Sequence, residues 1–162
     1  MSGAVEIALT VNGEAVRRAV DPRLHLVDFL RSELGLTGSH LGCEHGVCGA
    51  CTVRLDGETV RGCLVLAVQA DGAAVETIEG LAADPAWDDL RAAFVARNAL
   101  QCGYCTPGML ASAAELLAAG GVPTRDAIRD HLSGNYCRCT GYHAIVDAVE
   151  SVARARAGAP AA

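Results

Sequence analysis

The sequence contains no lysine: all thirteen of its basic side chains are arginine, set against nineteen acidic residues for a formal charge of -6. No basic stripe exists to neutralise phosphates, which argues against a nucleic-acid partner. Long apolar runs are missing too. The longest, Cys63 to Val68, is far short of the roughly 18–20 residues that a spanning helix requires. The opening MSGAVEIALT has neither a basic n-region nor an apolar h-region, so the expectation is a cytoplasmic protein without a secretory signal or membrane insertion. No Gly-x-Gly-x-x-Gly follows a strand, no Walker A lysine is available, and no local motif suggests a Ser/His/Asp set. The chain therefore offers no nucleotide site and no catalytic residues of its own.

What is present fits a packed protein: 51% of 162 residues are hydrophobic and 20% charged. A chain of this length can support one or two compact cores without disulfide staples. Eight cysteines are the extreme number. In a reducing compartment a disulfide framework is unusual, so the thiols read as ligands.

Val5, Ile7, Leu9 and Val11 alternate with polar or small residues, and Asn12-Gly13 follows, predicting a hairpin that returns through Ala15 to Val20. Leu26, Val27, Leu30 and Leu34 recur at helical spacing, with Gly35 placed to end that helix in a left-handed conformation. Thr52 to Leu55 and Glu58 to Arg61 flank Asp56-Gly57, a strong hairpin signal, and a short strand is expected in Ala74 to Ile78. Hairpin, helix, hairpin and strand make an α+β unit over residues 1–80. From Asp84 the pattern is helical, through Trp87, Leu90 and Phe94; Leu110, Ala114 and Leu117; Ile128 and Leu132; and Ile145, Val149 and Val152. Asp84-Pro85, Thr106-Pro107 and Thr124 offer helix starts. A helical bundle over residues 81–156 and a fraying tail at 157–162 complete the expected organisation.

The thiols fall into two groups of four, one per unit. Cys43-x4-Cys48-x2-Cys51, with Cys63 as fourth, has the plant-type spacing for a [2Fe-2S] cluster. Three thiolates from nine residues force sharp turns, which Gly42, Gly46 and Gly49 can make, and glycine lets backbone N–H groups approach the sulfurs. The same thiols could form a structural zinc site, although the extra Cys43 and the glycine density suit iron better. His45 forms half of a Rieske-like pair with no second half, and reads as a loop residue. The second group, Cys102-x2-Cys105 and Cys137-x-Cys139, says by spacing only that four thiolates share a site. Cys105-Thr106 and Cys139-Thr140 are each expected to lead directly into a helix with Thr as N-cap. Two positive helix ends would then face an anionic cluster.

LGCEHGVCGACTV with Cys63, then LQCGYCTPGM, then GNYCRCTGY resemble, in order, the signatures of the small iron–sulfur subunit of molybdenum hydroxylases, the xanthine dehydrogenase and carbon monoxide dehydrogenase group. The resemblance spans about Val5 to Ala155. It implies a β-grasp plant-type ferredoxin domain followed by a four-helix domain with an internal two-fold, each holding one [2Fe-2S] cluster. It also implies a large partner subunit holding molybdopterin and a medium one holding FAD. Electrons would pass from molybdenum to the cluster on Cys102, Cys105, Cys137 and Cys139, then to that on Cys43, Cys48, Cys51 and Cys63, then to flavin. Gln101 and Cys139 would lie beside the partner's pterin; read from the sequence alone, Gln101 is equally a polar helix-end residue. A free-standing two-cluster ferredoxin and a zinc-stabilised interaction module are the alternative functions.

Overall fold

A computed structural model of the chain describes residues 3–158. Of the expected tail, residues 159–162 lie outside the described part. The first hairpin joins β1 (Val5–Val11) to β2 (Glu14–Val20), pairing Val11 with Glu14 across the turn. Asn12 and Gly13 both take positive φ, 50° and 86°, the conformation a two-residue type I′ turn demands. The second hairpin, β3 (Thr52–Leu55) and β4 (Glu58–Arg61), turns on Asp56 and Gly57 in the same way. The last strand, β5 (Ala74–Glu76), lies parallel to β1 and antiparallel to β3, giving a five-stranded sheet in the order β2-β1-β5-β3-β4.

The helix crossing this sheet is shorter and less regular than its periodicity predicts. One α-turn, α1 (Leu26–Asp28), passes into a π-turn over Phe29–Glu33, and Leu34 falls outside it. Leu26, Val27, Phe29 and Leu30 are all fully buried, more than one regular helical stripe supplies. Leu26, Phe29 and Leu30 pack on Ile7, Leu9, Val11, Val53 and Val75 of the sheet. Each is worth about 1.5–3 kcal/mol in removal from water. Gly35 stands at φ 70°, the left-handed stop the sequence predicts.

The second core is helical. α2 (Ile78–Ala83) is a short addition to the four expected helices, which are α3 (Asp88–Ala96), α4 (Thr106–Ala118), α5 (Arg125–Leu132) and α6 (His143–Arg156). Leu81, Leu90, Phe94, Met109, Ile128, Leu132, Ile145 and Val149 form its interior. Asp84 and Thr124 cap as predicted, accepting from the amides of Ala86 and Ala127. Thr106 does not: Cys105 takes the cap position, Pro107 sits in the first turn, and the Thr106 hydroxyl is buried without a partner. The mixed α+β class expected from the sequence is what the chain adopts.

A buried polar join unites the two cores. Asn135, 2% exposed, donates to the carbonyl oxygen of Gly49 (3.2 Å) and to Thr52 Oγ1 (3.3 Å), and accepts from Ser112 Oγ (2.9 Å). Arg61 reaches across to the carbonyl of Gly134 at 2.8 Å. At the centre two backbones touch directly, since a Cβ on Gly108 would collide with the carbonyl oxygen of Gly49. An amide pair in that gap can be satisfied only by the protein, which is why Asn135 carries so many partners.

Candidate metal centres

The loop from Gly42 to Cys51 wraps on itself through three left-handed residues: Glu44 (φ 58°), Gly46 (φ 85°) and Gly49 (φ 75°). The sequence assigns this turning to Gly42, Gly46 and Gly49. Gly42 instead serves by lacking a side chain, for a Cβ there would stand 2.9 Å from Cys48 Sγ. The amides of Val47 and Cys48 both point at Cys43 Sγ, at 3.3 Å. Hydrogen bonds from the backbone of His45 and Cys48, with that of Val47, bring the Cys43 thiol down to about 6. His45 itself lies in the loop, its ring Nδ1 turned back to the Cys43 carbonyl.

Cys51 and Cys63 sit at the opposite side of this site, 2% and 1% exposed, in a small apolar cluster with Val27. Burial, with the neighbouring Cys63 and Cys48 thiols, pushes Cys51 up to about 12. A thiol held that high stays protonated at neutral pH unless a bound cation stabilises its thiolate. The structure thus brings together the four thiols that the sequence groups.

In the second site Cys102 and Cys139 are exposed, Sγ to Sγ 3.5 Å, while Cys105 and Cys137 lie half-buried behind them. Burial and the adjacent Cys137 thiol push Cys105 up to about 12. At Cys137 burial is outweighed by hydrogen bonds, above all from the Thr140 hydroxyl at 3.1 Å, and its thiol is lowered. α4 begins beside Cys105 as predicted, but its first turn has few amides to spare: that of Thr106 donates to the Gly103 carbonyl at 3.1 Å and Pro107 has none. The helix expected at Thr140 does not begin there. Gly141 (φ 65°) and Tyr142 (φ 69°) are left-handed, which no α-helix accommodates, so α6 starts at His143. Only one helix N-terminus, not two, therefore opens directly at a cysteine of this site.

The sequence assigns Thr140 only the part of a helix N-cap, and gives Tyr142 no role. The Tyr142 hydroxyl accepts from the amide of Cys137 at 2.8 Å and donates to the carbonyl of Asn135 at 3.3 Å, closing the loop around Cys137. Gln101 is exposed and does not cap a helix end; its amide donates to the carbonyl oxygen of Cys139 at 3.1 Å. The two thiol loops also meet each other. The amide of Tyr136 donates to the carbonyl of Cys48 at 2.8 Å, and His40 stacks on Tyr104 with centroids 4.5 Å apart.

The donor set suits a two-iron cluster in each site. All eight cysteines are free to serve as ligands. Within each site the thiols are mutual neighbours, Cys51 beside Cys63 and Cys48, and Cys139 beside Cys102 and Cys137. The unpartnered Thr106 hydroxyl, one residue from Cys105, also fits a site whose sulfur acceptors arrive with the cluster.

Known proteins share this arrangement. A "2Fe-2S iron-sulfur cluster binding domain" matches residues 9–81 and a "[2Fe-2S] binding domain" matches residues 77–150. The chain is 53% identical over 149 residues to the caffeine dehydrogenase subunit gamma of Pseudomonas sp. (strain CBB1), covering 90% of this chain and 89% of that one. To the nicotine 6-hydroxylase small subunit of Paenarthrobacter nicotinovorans it is 54% identical over 148 residues, covering 91% and 89%. The crystal structure of quinoline 2-oxidoreductase from Pseudomonas putida 86 superposes with a TM-score of 0.90 at 48% identity, over 98% of this chain and 100% of that chain.

Proposed function

The chain belongs to the family of small [2Fe-2S] subunits of molybdenum hydroxylases, the xanthine dehydrogenase group, and on that premise we propose that it relays electrons from a molybdopterin-holding subunit to a flavin-holding one. As such a subunit it is part of an oxidoreductase complex and works beside larger chains. Cys43, Cys48, Cys51 and Cys63 would hold one cluster, and Cys102, Cys105, Cys137 and Cys139 the other. When bound, a [2Fe-2S] cluster takes up and gives back one electron at a time. The observation that carries this reading is the pairing of two separate thiol quartets across one hydrogen bond, from the Tyr136 amide to the Cys48 carbonyl, beside a ligand position of each.

The chain's own residues divide the work. Cys102, Cys139 and Gln101 lie open on one surface, and we assign that surface to the molybdopterin-holding partner. Val47 and Leu64, exposed apolar residues beside the first loop, suit cover by the flavin-holding partner. Eight free thiols suit the cytoplasm, and among the described residues no helix is long and apolar enough to cross a membrane.

The substrate pocket belongs to the partner. Relatives at 48–54% identity are named for caffeine, nicotine and quinoline, whereas the aldehyde oxidoreductases match at 41–44%. An N-heteroaromatic compound is therefore the substrate class proposed for the assembly. Purification of the native protein tests the whole reading. The chain should come with two larger subunits, carry iron and acid-labile sulfide in equal amounts, and show two distinct paramagnetic signals on reduction. Zinc without sulfide, or a chain that purifies alone, would refute it.

A further inference from the structure

We propose that the Thr140 hydroxyl, by donating a hydrogen bond to Cys137 Sγ, raises the reduction potential of the helical-half cluster and so helps set the order in which the two clusters fill. The inference rests on the assignment of Cys102, Cys105, Cys137 and Cys139 to one cluster.

The contact is short, 3.1 Å from Thr140 Oγ1 to Cys137 Sγ, and its direction is fixed. A hydroxyl has one proton and two lone pairs. Thr140 Oγ1 accepts from the amide of Tyr142 at 3.2 Å, and a ligand thiolate has no proton to give, so the proton between oxygen and sulfur is the hydroxyl's. The Tyr142 amide reaches Thr140 because Gly141 and Tyr142 are consecutive left-handed residues that fold the chain back on itself. The backbone amide of Cys137 does not serve a sulfur, being taken by the Tyr142 hydroxyl. Three contacts thus hold one side-chain donor on one thiolate.

The first site lacks this device. Its contacts to sulfur come from the backbone, from His45, Val47 and Cys48 on Cys43 and from Cys63 on Cys51, and among the described residues no side-chain hydroxyl donates to Cys43, Cys48, Cys51 or Cys63. The similar Cys-Thr pair at Cys105-Thr106 does not duplicate it either, since the Thr106 hydroxyl reaches no thiol. Reduction adds one negative charge to a site already carrying a formal charge of about -2. A proton held against a ligand sulfur stabilises the more negative state, so the potential rises.

The test is a redox titration of the complete complex followed by electron paramagnetic resonance, for wild type, Thr140→Val and Thr140→Ser. Thr140→Val should move the helical-half signal to a more negative midpoint, cutting the ratio of reduced to oxidised cluster at fixed potential by roughly three- to tenfold. The sheet-half signal should stay in place, and Thr140→Ser, which restores the hydroxyl, should titrate as wild type. An unmoved helical-half midpoint, an equal shift of both signals, or a Thr140→Ser shift as large as that of Thr140→Val would overturn the proposal. Thr140→Ala is titrated in parallel. A helical-half signal lost from both the Val and Ala variants makes the hydroxyl a structural element and overturns it as well. Wild-type complex lacking two cluster signals is a different failure: it overturns the assignment of clusters to thiols, before any variant is compared.

Discussion

The two thiol sites reach the same donor set by opposite means. In the sheet half, three of four cysteines come from a single loop whose left-handed residues fold it locally, and Cys51 and Cys63 are sealed among apolar side chains. In the helical half, two short segments separated by α4 and α5 are brought together, and Cys102 and Cys139 face outward. The first site is held by its own backbone. The second is held by side chains, namely Tyr142 and Thr140, and two of its thiols are exposed. Burial and exposure of ligand thiols are competing demands, and the chain meets each most fully in one site.

Removing one ligand from each half puts that contrast to its hardest test. Cys63→Ala opens a buried site in contact with Val27, and should both erase the sheet-half paramagnetic signal and lower the unfolding midpoint of the whole chain. Cys139→Ala should erase only the helical-half signal and lower the midpoint less, because the exposed side chain adds no packing loss to the loss of the cluster. Equal losses of stability in the two variants would erase the distinction between a sealed site and an open one.

Much of this was legible in the sequence, and the reasons are local. Asn12-Gly13 and Asp56-Gly57 encode their turns within two residues, and Gly35 stops the first helix where a left-handed residue is needed. The grouping of thiols four and four followed from spacing and from the switch between strand-like and helical periodicity. Features requiring two distant segments were not legible. The π-turn at Phe29–Glu33 answers to a sheet that demands more burial than one stripe. The late start of α6 depends on a left-handed Tyr142, a residue type with no local preference for that conformation. Asn135 stood inside a recognised motif, yet its burial against Gly49 exists only after the halves meet.

The join between the halves offers the next, smaller effect. Asn135→Ala would strip partners from Ser112, Thr52 and the Gly49 carbonyl at a buried seam, at an expected cost of ~2–4 kcal/mol in urea denaturation. Both cluster signals should be perturbed, since the seam adjoins both loops. A change confined to one signal would mean that each half holds its site unaided.

The smallest effect concerns acid. Burial alone would raise the Glu79 carboxyl, but hydrogen bonds from the Thr77 hydroxyl and the Gly38 amide outweigh it and hold it below its ordinary 4.5. A depressed carboxylate contributes stability above its unfolded value and loses it as pH falls through the folded one. The midpoint difference between wild type and Glu79→Gln should therefore be present at neutral pH and shrink below about pH 4.5. A difference independent of pH would assign the effect to packing between α2 and the segment before the first loop.

The bare contact of Gly49 with Gly108 constrains how such chains can be recombined. With a carbonyl oxygen and the hydrogen-bonded Asn135 amide filling the space above the two glycines, the seam accepts neither an added methyl nor a change of register. A chimera made from two relatives should fold only when both glycines and the asparagine beside them travel as a matched set, however freely the outer loops are exchanged.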